Sequence, residues 1–295
     1  MTAFEDLYFS APDGLRLHVL AAGPRNGARL PAVCLPGLAR TCEDFRELVT
    51  ALAEDAENPR RVLALDSRGR GKSERDPDPA KYSVPVEIGD LLAVLAAAGV
   101  ERAVFVGTSR GGILTMTLSA VRPAAIAGAV LNDIGPVLDM AGLLRIKGYV
   151  GKLPKPSSME DAATVLRRAL GSQFPGLLDD EWQLYAQRTF VETSNGVEAN
   201  YDPKISAAIA NIDPSAPPPE MWPQFDGLVH APLMLIRGQH SDLLSPETTK
   251  AMQARRPDLE LVEVLGQGHA PLLADRFTIA RISAFAARCD GGPPT

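Results

Sequence analysis

Ser109 stands at the centre of Gly107-Thr108-Ser109-Arg110-Gly111, between the apolar run Ala103-Val104-Phe105-Val106 and the stretch Gly112-Ile113-Leu114-Thr115-Met116. The expected local structure is strand, tight turn and helix, with the serine at the apex. Such an elbow strains the serine backbone and exposes Oγ above the sheet. Side chains at the two flanking positions would strike the neighbouring strand and helix, and Gly107 and Gly111 remove them. The helix that follows aims its free N–H groups and positive dipole end at the serine, which favours an anion there. A serine hydroxyl becomes a nucleophile only when a base takes its proton, and two later loops offer partners. Asp242 ends Gly238-Gln239-His240-Ser241-Asp242, after the apolar run Pro232–Arg237, and His269 ends Gly266-Gln267-Gly268-His269, after Leu261–Leu265. The chemistry expected is attack of Ser109 on a carbonyl, with His269 as base and Asp242 holding the imidazole in the right tautomer. Asp133, at the end of an earlier strand, is the alternative acid.

The elements that must position these residues alternate in type. Leu7–Ser10 and Leu15–Leu20, joined at Pro12-Asp13-Gly14, read as an antiparallel hairpin. Ala32–Leu35, Val62–Leu65, Ala103–Val106, Ala129–Leu131, Leu233–Ile236 and Leu261–Val264 read as buried parallel strands. Helical stretches such as Glu87–Ala98 and Ser245–Ala254 lie between them, which predicts a mostly parallel sheet covered on both faces. Asp242 and His269 then fall at the C-terminal ends of strands, the rim where ligands bind in an open α/β sheet.

One interval is too long for a simple crossover. Residues 137–225 separate two strands, so residues 1–136 and 226–295 are expected to form the core and 137–225 a helical cap over the rim. Within that stretch Met159–Leu170, capped by Ser158, and Asp180–Phe190, capped by Asp179, are the helical candidates. Trp182, Tyr185 and Phe190 are expected to pack among cap helices, with lining of an apolar pocket as the alternative. The run Pro214–Pro219 returns the chain to the core, and the tail after Asp290 is expected to fray.

These motifs, over nearly the whole chain, resemble those of the α/β-hydrolase superfamily. The resemblance rests on Leu35-Pro36-Gly37-Leu38, Asp66-Ser67-Arg68-Gly69-Arg70-Gly71-Lys72-Ser73, the Ser109 elbow, Gly238–Asp242 and Gly268-His269-Ala270-Pro271. Asn132-Asp133-Ile134-Gly135-Pro136 is similar to a segment of small bacterial members. The resemblance implies an eight-stranded, mostly parallel α/β sheet with the cap inserted after the sixth strand. It also implies an oxyanion hole made by the backbone N–H groups of Leu38 and Arg110. One departure is Pro36, where many relatives carry histidine before the glycine. The Arg110 side chain remains free to bind a substrate carboxylate or, the preferred expectation, to pair with a cap acid.

The activity implied is hydrolysis of a carboxylic ester of a small or medium-sized apolar substrate through an acyl-enzyme, with no metal or cofactor. The same residues would serve a lactonase, a carbon–carbon bond hydrolase or an acyltransferase, and the fold also hosts non-catalytic ligand receptors. A serine at the elbow disfavours the haloalkane dehalogenase and epoxide hydrolase branches, which use aspartate there. Net charge −6 over 295 residues argues against a nucleic-acid or anionic-membrane surface. No leader or membrane-spanning run is evident, and three cysteines without metal-like spacing suit a reduced, cytoplasmic protein whose partner is a small-molecule substrate. Gly71-Lys72-Ser73 lacks the first glycine of a phosphate loop, which would fall at Asp66, so Asp66, Arg68 and Gly69 are expected to brace their own loop. His18, in a hairpin that looks exposed, His230 and His240 are expected to be structural, and nothing marks Cys42 as a thiolate.

Overall fold

The computed structural model describes residues 2–217 and 220–291; Pro218 and Pro219 of the proline run, and the tail from Gly292, lie outside the described residues. Strands β1 (Glu5–Ser10), β2 (Arg16–Ala22), β3 (Ala32–Leu35), β4 (Val62–Asp66), β5 (Ala103–Thr108), β6 (Ile126–Asn132), β9 (Leu233–Gly238) and β10 (Glu260–Val264) form one sheet. Its order is β1-β2-β4-β3-β5-β6-β9-β10. β2 pairs antiparallel with β1 and β4, and the other neighbours are parallel. This is the fold expected from the sequence. Strand ends run slightly past the apolar runs: β6 begins at Ile126 rather than Ala129.

The sheet separates two cores because strand side chains alternate faces. Val104 and Val106 of β5 pack with Leu48 and Leu52 of α1 (Arg46–Ala53), below, while Phe105 packs with Leu91 of α2 (Val84–Ala97) and Leu118 of α3 (Arg110–Val121), above. Fully burying each such side chain contributes about 1.5–3 kcal/mol. Between β6 and β9 lie α4 (Met140–Tyr149), α5 (Met159–Leu170), α6 (Asp179–Thr189) and the short α7 (Trp222–Asp226); α8 (Pro246–Arg255) and α9 (Arg276–Cys289) complete the layers. Ser158 caps α5 as expected, accepting from Asp161 N at 3.2 Å. The next helix starts one residue earlier than expected, at Asp179, with Leu178 as cap residue; Glu181 reaches back to Leu178 N at 2.8 Å and offsets the missing cap side chain.

The inserted stretch is not wholly helical. β7 (Phe190–Thr193) and β8 (Gly196–Ala199) form an antiparallel hairpin turned at Gly196, whose φ of +97° suits glycine. Phe174, Trp182 and Tyr185 meet at ring-centroid distances of 5.9–6.2 Å and, with Phe190, give this stretch a core of its own. Among the described residues no helix is long and apolar enough to cross a membrane.

His18 is fully buried, contrary to the exposed hairpin position expected. Its strand β2 lies between β1 and β4 rather than at an edge. Nδ1 lies 2.7 Å from Asp66 Oδ2 and Nε2 lies 2.8 Å from Asp6 Oδ1. A carboxylate faces each ring nitrogen, an arrangement that favours the imidazolium. Asp66 also accepts from Cys42 N at 2.7 Å and Lys72 N at 3.0 Å, so this pair ties β2 to two rim loops. Burial pulls the His18 pKa down, but the hydrogen bonds to Asp66 and Asp6 outweigh it and raise the pKa. A group whose pKa is raised on folding stabilises fully below its unfolded value, near 6.5, and loses that contribution as pH rises through the folded value. Thermal melts from pH 6 to pH 9 are therefore expected to fall with rising pH by more in the wild type than in His18→Gln. Equal slopes would remove His18 as the cause.

Candidate active site

The backbone of Ser109 has φ +50° and ψ −111°, the strained elbow expected at a strand-to-helix turn. The strain is held by its surroundings. Ser109 N donates to Asn132 O at 2.9 Å, and a Cβ at Gly111 would lie 1.9 Å from Leu35 O, while one at Gly107 would lie 2.5 Å from Gly111 O. Any larger residue at either position would push the elbow off the sheet.

Ser109 Oγ lies 2.8 Å from His269 Nε2, and His269 Nδ1 lies 2.8 Å from Asp133 Oδ2. The Nδ1–H donates to the carboxylate, leaving Nε2 to accept the serine hydroxyl. Asp133 is completely buried and follows β6 with φ +55°. It also accepts from Gly238 N at 2.9 Å and from Ser241 Oγ at 2.6 Å, so three donors fix its carboxylate. Such a line can pass the serine proton to the imidazole and stabilise the resulting imidazolium.

The acid expected first, Asp242, is not at the histidine. Its two carboxylate oxygens take hydrogen bonds from Arg145 of α4, at 2.6 and 2.7 Å, and Asp133 already fills the acceptor position at Nδ1. The loop that was to supply the acid instead supplies Ser241 and Gly238, which orient Asp133. Sequence reasoning missed another brace. Gln173, between α5 and α6, accepts from His269 N at 2.8 Å through Oε1. No local motif marks it.

Leu38 follows β3 in a turn closed by Arg40 N donating to Gly37 O at 3.2 Å, and Arg110 is the first residue of α3. Among the described residues the Leu38 and Arg110 amides meet no acceptor. The Arg110 side chain pairs with an acid, as expected, but the acid is Glu87 of α2 and not a residue of the 137–225 stretch; Nε lies 2.8 Å from Glu87 Oε2. Cys42 is buried beside Asp66, and burial pushes its thiol well up, so it offers no thiolate. His230 and His240 are exposed and take no part in the hydrogen bonds of this line.

A cavity of about 130 Å³ opens onto Ser109 and His269. Ile146, Tyr149, Leu184 and Tyr185 close it from the inserted stretch, so Tyr185 both packs and lines. Its wall is not wholly apolar, because Arg40, Asp44, Glu181 and Arg188 also line it. Arg40 stacks on the Tyr185 ring at 4.1 Å and is held by Asp44 and Thr189; Arg188 is held by Glu47. Arg40 and Arg188 are each paired with a carboxylate, which lets them lie in this wall, whereas Glu181 is exposed and takes the Leu178 N–H.

Residues 32–281 match the model of the alpha/beta hydrolase family. The chain is 31% identical over 260 residues to a 3-hydroxybutyrate-oligomer hydrolase of Cupriavidus necator, covering 86% of this chain and 87% of that protein. It is 30% identical over 187 residues to a bifunctional epoxide hydrolase of Sus scrofa, where the match covers 62% of this chain and 30% of the relative. Among solved structures, an alpha/beta hydrolase from Novosphingobium aromaticivorans superposes with a TM-score of 0.89 at 42% identity, covering 98% of this chain and 99% of the other. The chain belongs to the alpha/beta hydrolase family and is an enzyme of the hydrolase class.

Proposed function

We propose that the protein hydrolyses carboxylic esters of short, oxygen-bearing acids through an acyl-enzyme on Ser109. The observation that carries this reading is the unbroken line from Ser109 Oγ through His269 to Asp133, each link 2.8 Å. Ser109 attacks the ester carbonyl as His269 takes its proton, and Asp133 holds the imidazole. The oxyanion accepts from the Leu38 and Arg110 amides, and His269 returns the proton to the leaving alcohol. Water activated by His269 then releases the acid. Residues 137–225 act as the cap that keeps this step dry. Three free, buried cysteines suit a reducing compartment such as the cytoplasm.

Two features support the acid's size and polarity. A cavity of about 130 Å³ is close to one of ~150 Å³ that accepts benzene, so the acyl group has room for about four to six carbons. The charged groups set into its mainly apolar wall suit an acid with a hydroxyl or further ester oxygen, and the relative from Cupriavidus necator is named for hydrolysing 3-hydroxybutyrate oligomers.

The test is kcat/KM for p-nitrophenyl esters of increasing acyl length, beside a 3-hydroxybutyrate dimer. Each methylene buried contributes about 0.8 kcal/mol, so kcat/KM should climb up to about fourfold per carbon until the cavity is full, then fall. The dimer should be cleaved with release of 3-hydroxybutyrate. A continuous climb through long-chain esters, or an inert dimer beside rapid butyrate turnover, would refute the short, polar acyl site.

A further inference from the structure

We infer that Glu87 is a positioning residue that clamps both amides of the oxyanion hole from behind. The inference rests on the acyl-enzyme reading above.

Glu87 lies in the first turn of α2, with its side chain 1% exposed. It is a single carboxylate between two guanidiniums. Oε1 accepts from Arg70 Nη1 at 2.8 Å, and Oε2 accepts from Arg110 Nε at 2.8 Å. Burial pushes the Glu87 carboxyl up, but the Arg70 and Arg110 charges outweigh it and hold it below the usual range. It is therefore an anion, with one oxygen committed to each arginine.

Each arginine leads to one half of the hole. Arg70 Nε donates to Leu38 O at 2.6 Å, and its Nη1 also donates to Arg68 O at 2.7 Å. Leu38 is the second residue of the turn from Gly37 to Arg40, so gripping its carbonyl restrains the rotation of the residue proposed to supply one oxyanion N–H. Arg110 supplies the other N–H, and among the described residues Glu87 is the acceptor of its side chain. Among the described residues, Nη2 of Arg70 and Nη2 of Arg110 are buried and meet no acceptor, and Glu87 is the carboxylate paired with both arginines. The start of α3 already packs on the end of β3 at Gly111 and Leu35, and Glu87 adds a second link, from Arg110 through Arg70 to the Leu38 carbonyl. Oxyanion donors act by being fixed in place before charge develops. A clamp on both should lower the barrier without tightening substrate binding.

Glu87→Gln tests this with little change in volume. The amide has one acceptor oxygen, and its NH2 cannot accept from a guanidinium, so one arm must let go. Removing an oxyanion donor outright costs 10²–10³ in kcat, so loosening one is expected to cost about 10- to 100-fold, with KM within about threefold. Phenylboronic acid, whose boron takes up Ser109 Oγ and places a hydroxyl in the hole, should lose affinity by a matching factor. Melting temperature and circular dichroism check the fold. If Glu87→Gln does not fold, Arg110→Met frees one arm at a more exposed position, and kcat and boronate affinity should fall together there too.

A folded Glu87→Gln enzyme with wild-type kcat overturns the clamp while leaving the proposed reaction standing. So does a fall in kcat with boronate affinity unchanged, since a merely structural defect need not track the hole. Wild-type protein that turns over no ester and binds no boronate at Ser109 overturns both.

Discussion

Replacing Ser109 by alanine is expected to lower ester turnover by ~10⁴-fold or more while leaving the melting temperature near the wild-type value. Among the described residues the hydroxyl makes one hydrogen bond, to His269, and the elbow's strain is held by backbone contacts that alanine keeps. Stability should therefore change little, and relief of a polar group beside a buried imidazole could raise it slightly. His269→Ala should cost about as much, because nucleophile and base act as a unit, and the double variant should lose little more than either single one. A fluorophosphonate probe should label the wild type and not Ser109→Ala. Substantial turnover by the alanine variant, or labelling at another residue, would move the nucleophile elsewhere and end the acyl-enzyme reading. A wild type that stays unlabelled beside an intact fold would favour a ligand receptor.

The placing of Ser109 and His269 on one rim was readable from the chain because their signals are local. A glycine-flanked serine between an apolar run and a helix leaves few alternatives, and a histidine directly after the last strand must lie on the rim. The sheet was readable for a related reason: buried parallel strands are continuous apolar runs, and β3, β5 and β9 stand out in composition. Which carboxylate lies against His269 was not readable in that way. Asp133 and Asp242 both follow neighbouring strands, β6 and β9, whose ends pair at Asn132 and Ile236. Either could approach the same histidine. What separates them is distant in sequence: Arg145, in the inserted stretch, takes Asp242, and Ser241 turns back to Asp133. His18 was misplaced because a hairpin at the start of a chain resembles an edge, whereas β2 has six of its seven residues buried. Gln173, Arg40 and Glu87 carry no motif at all. Their contacts join segments far apart in the chain, which composition and periodicity do not encode.

Asp133→Asn is expected to lower kcat by about 10³- to 10⁴-fold, and Asp242→Asn to leave it within about threefold. An asparagine at 133 can still face Gly238 N and Ser241 Oγ, so the loop should hold. What it cannot do is stabilise the imidazolium that forms as Ser109 gives up its proton, and its NH2 group competes to reverse the imidazole tautomer. The loss should therefore appear in kcat rather than KM. Asp242→Asn breaks a mostly buried, bidentate ion pair with Arg145 that lies off the proton path. Any effect there should come through the seating of α4 over the cavity, and so in KM. The comparison is decisive because the two substitutions are chemically identical and sit on adjacent loops of one rim. A large loss at 242 with a mild one at 133 would return the acid role to Asp242, and would require Arg145 to release it when substrate binds.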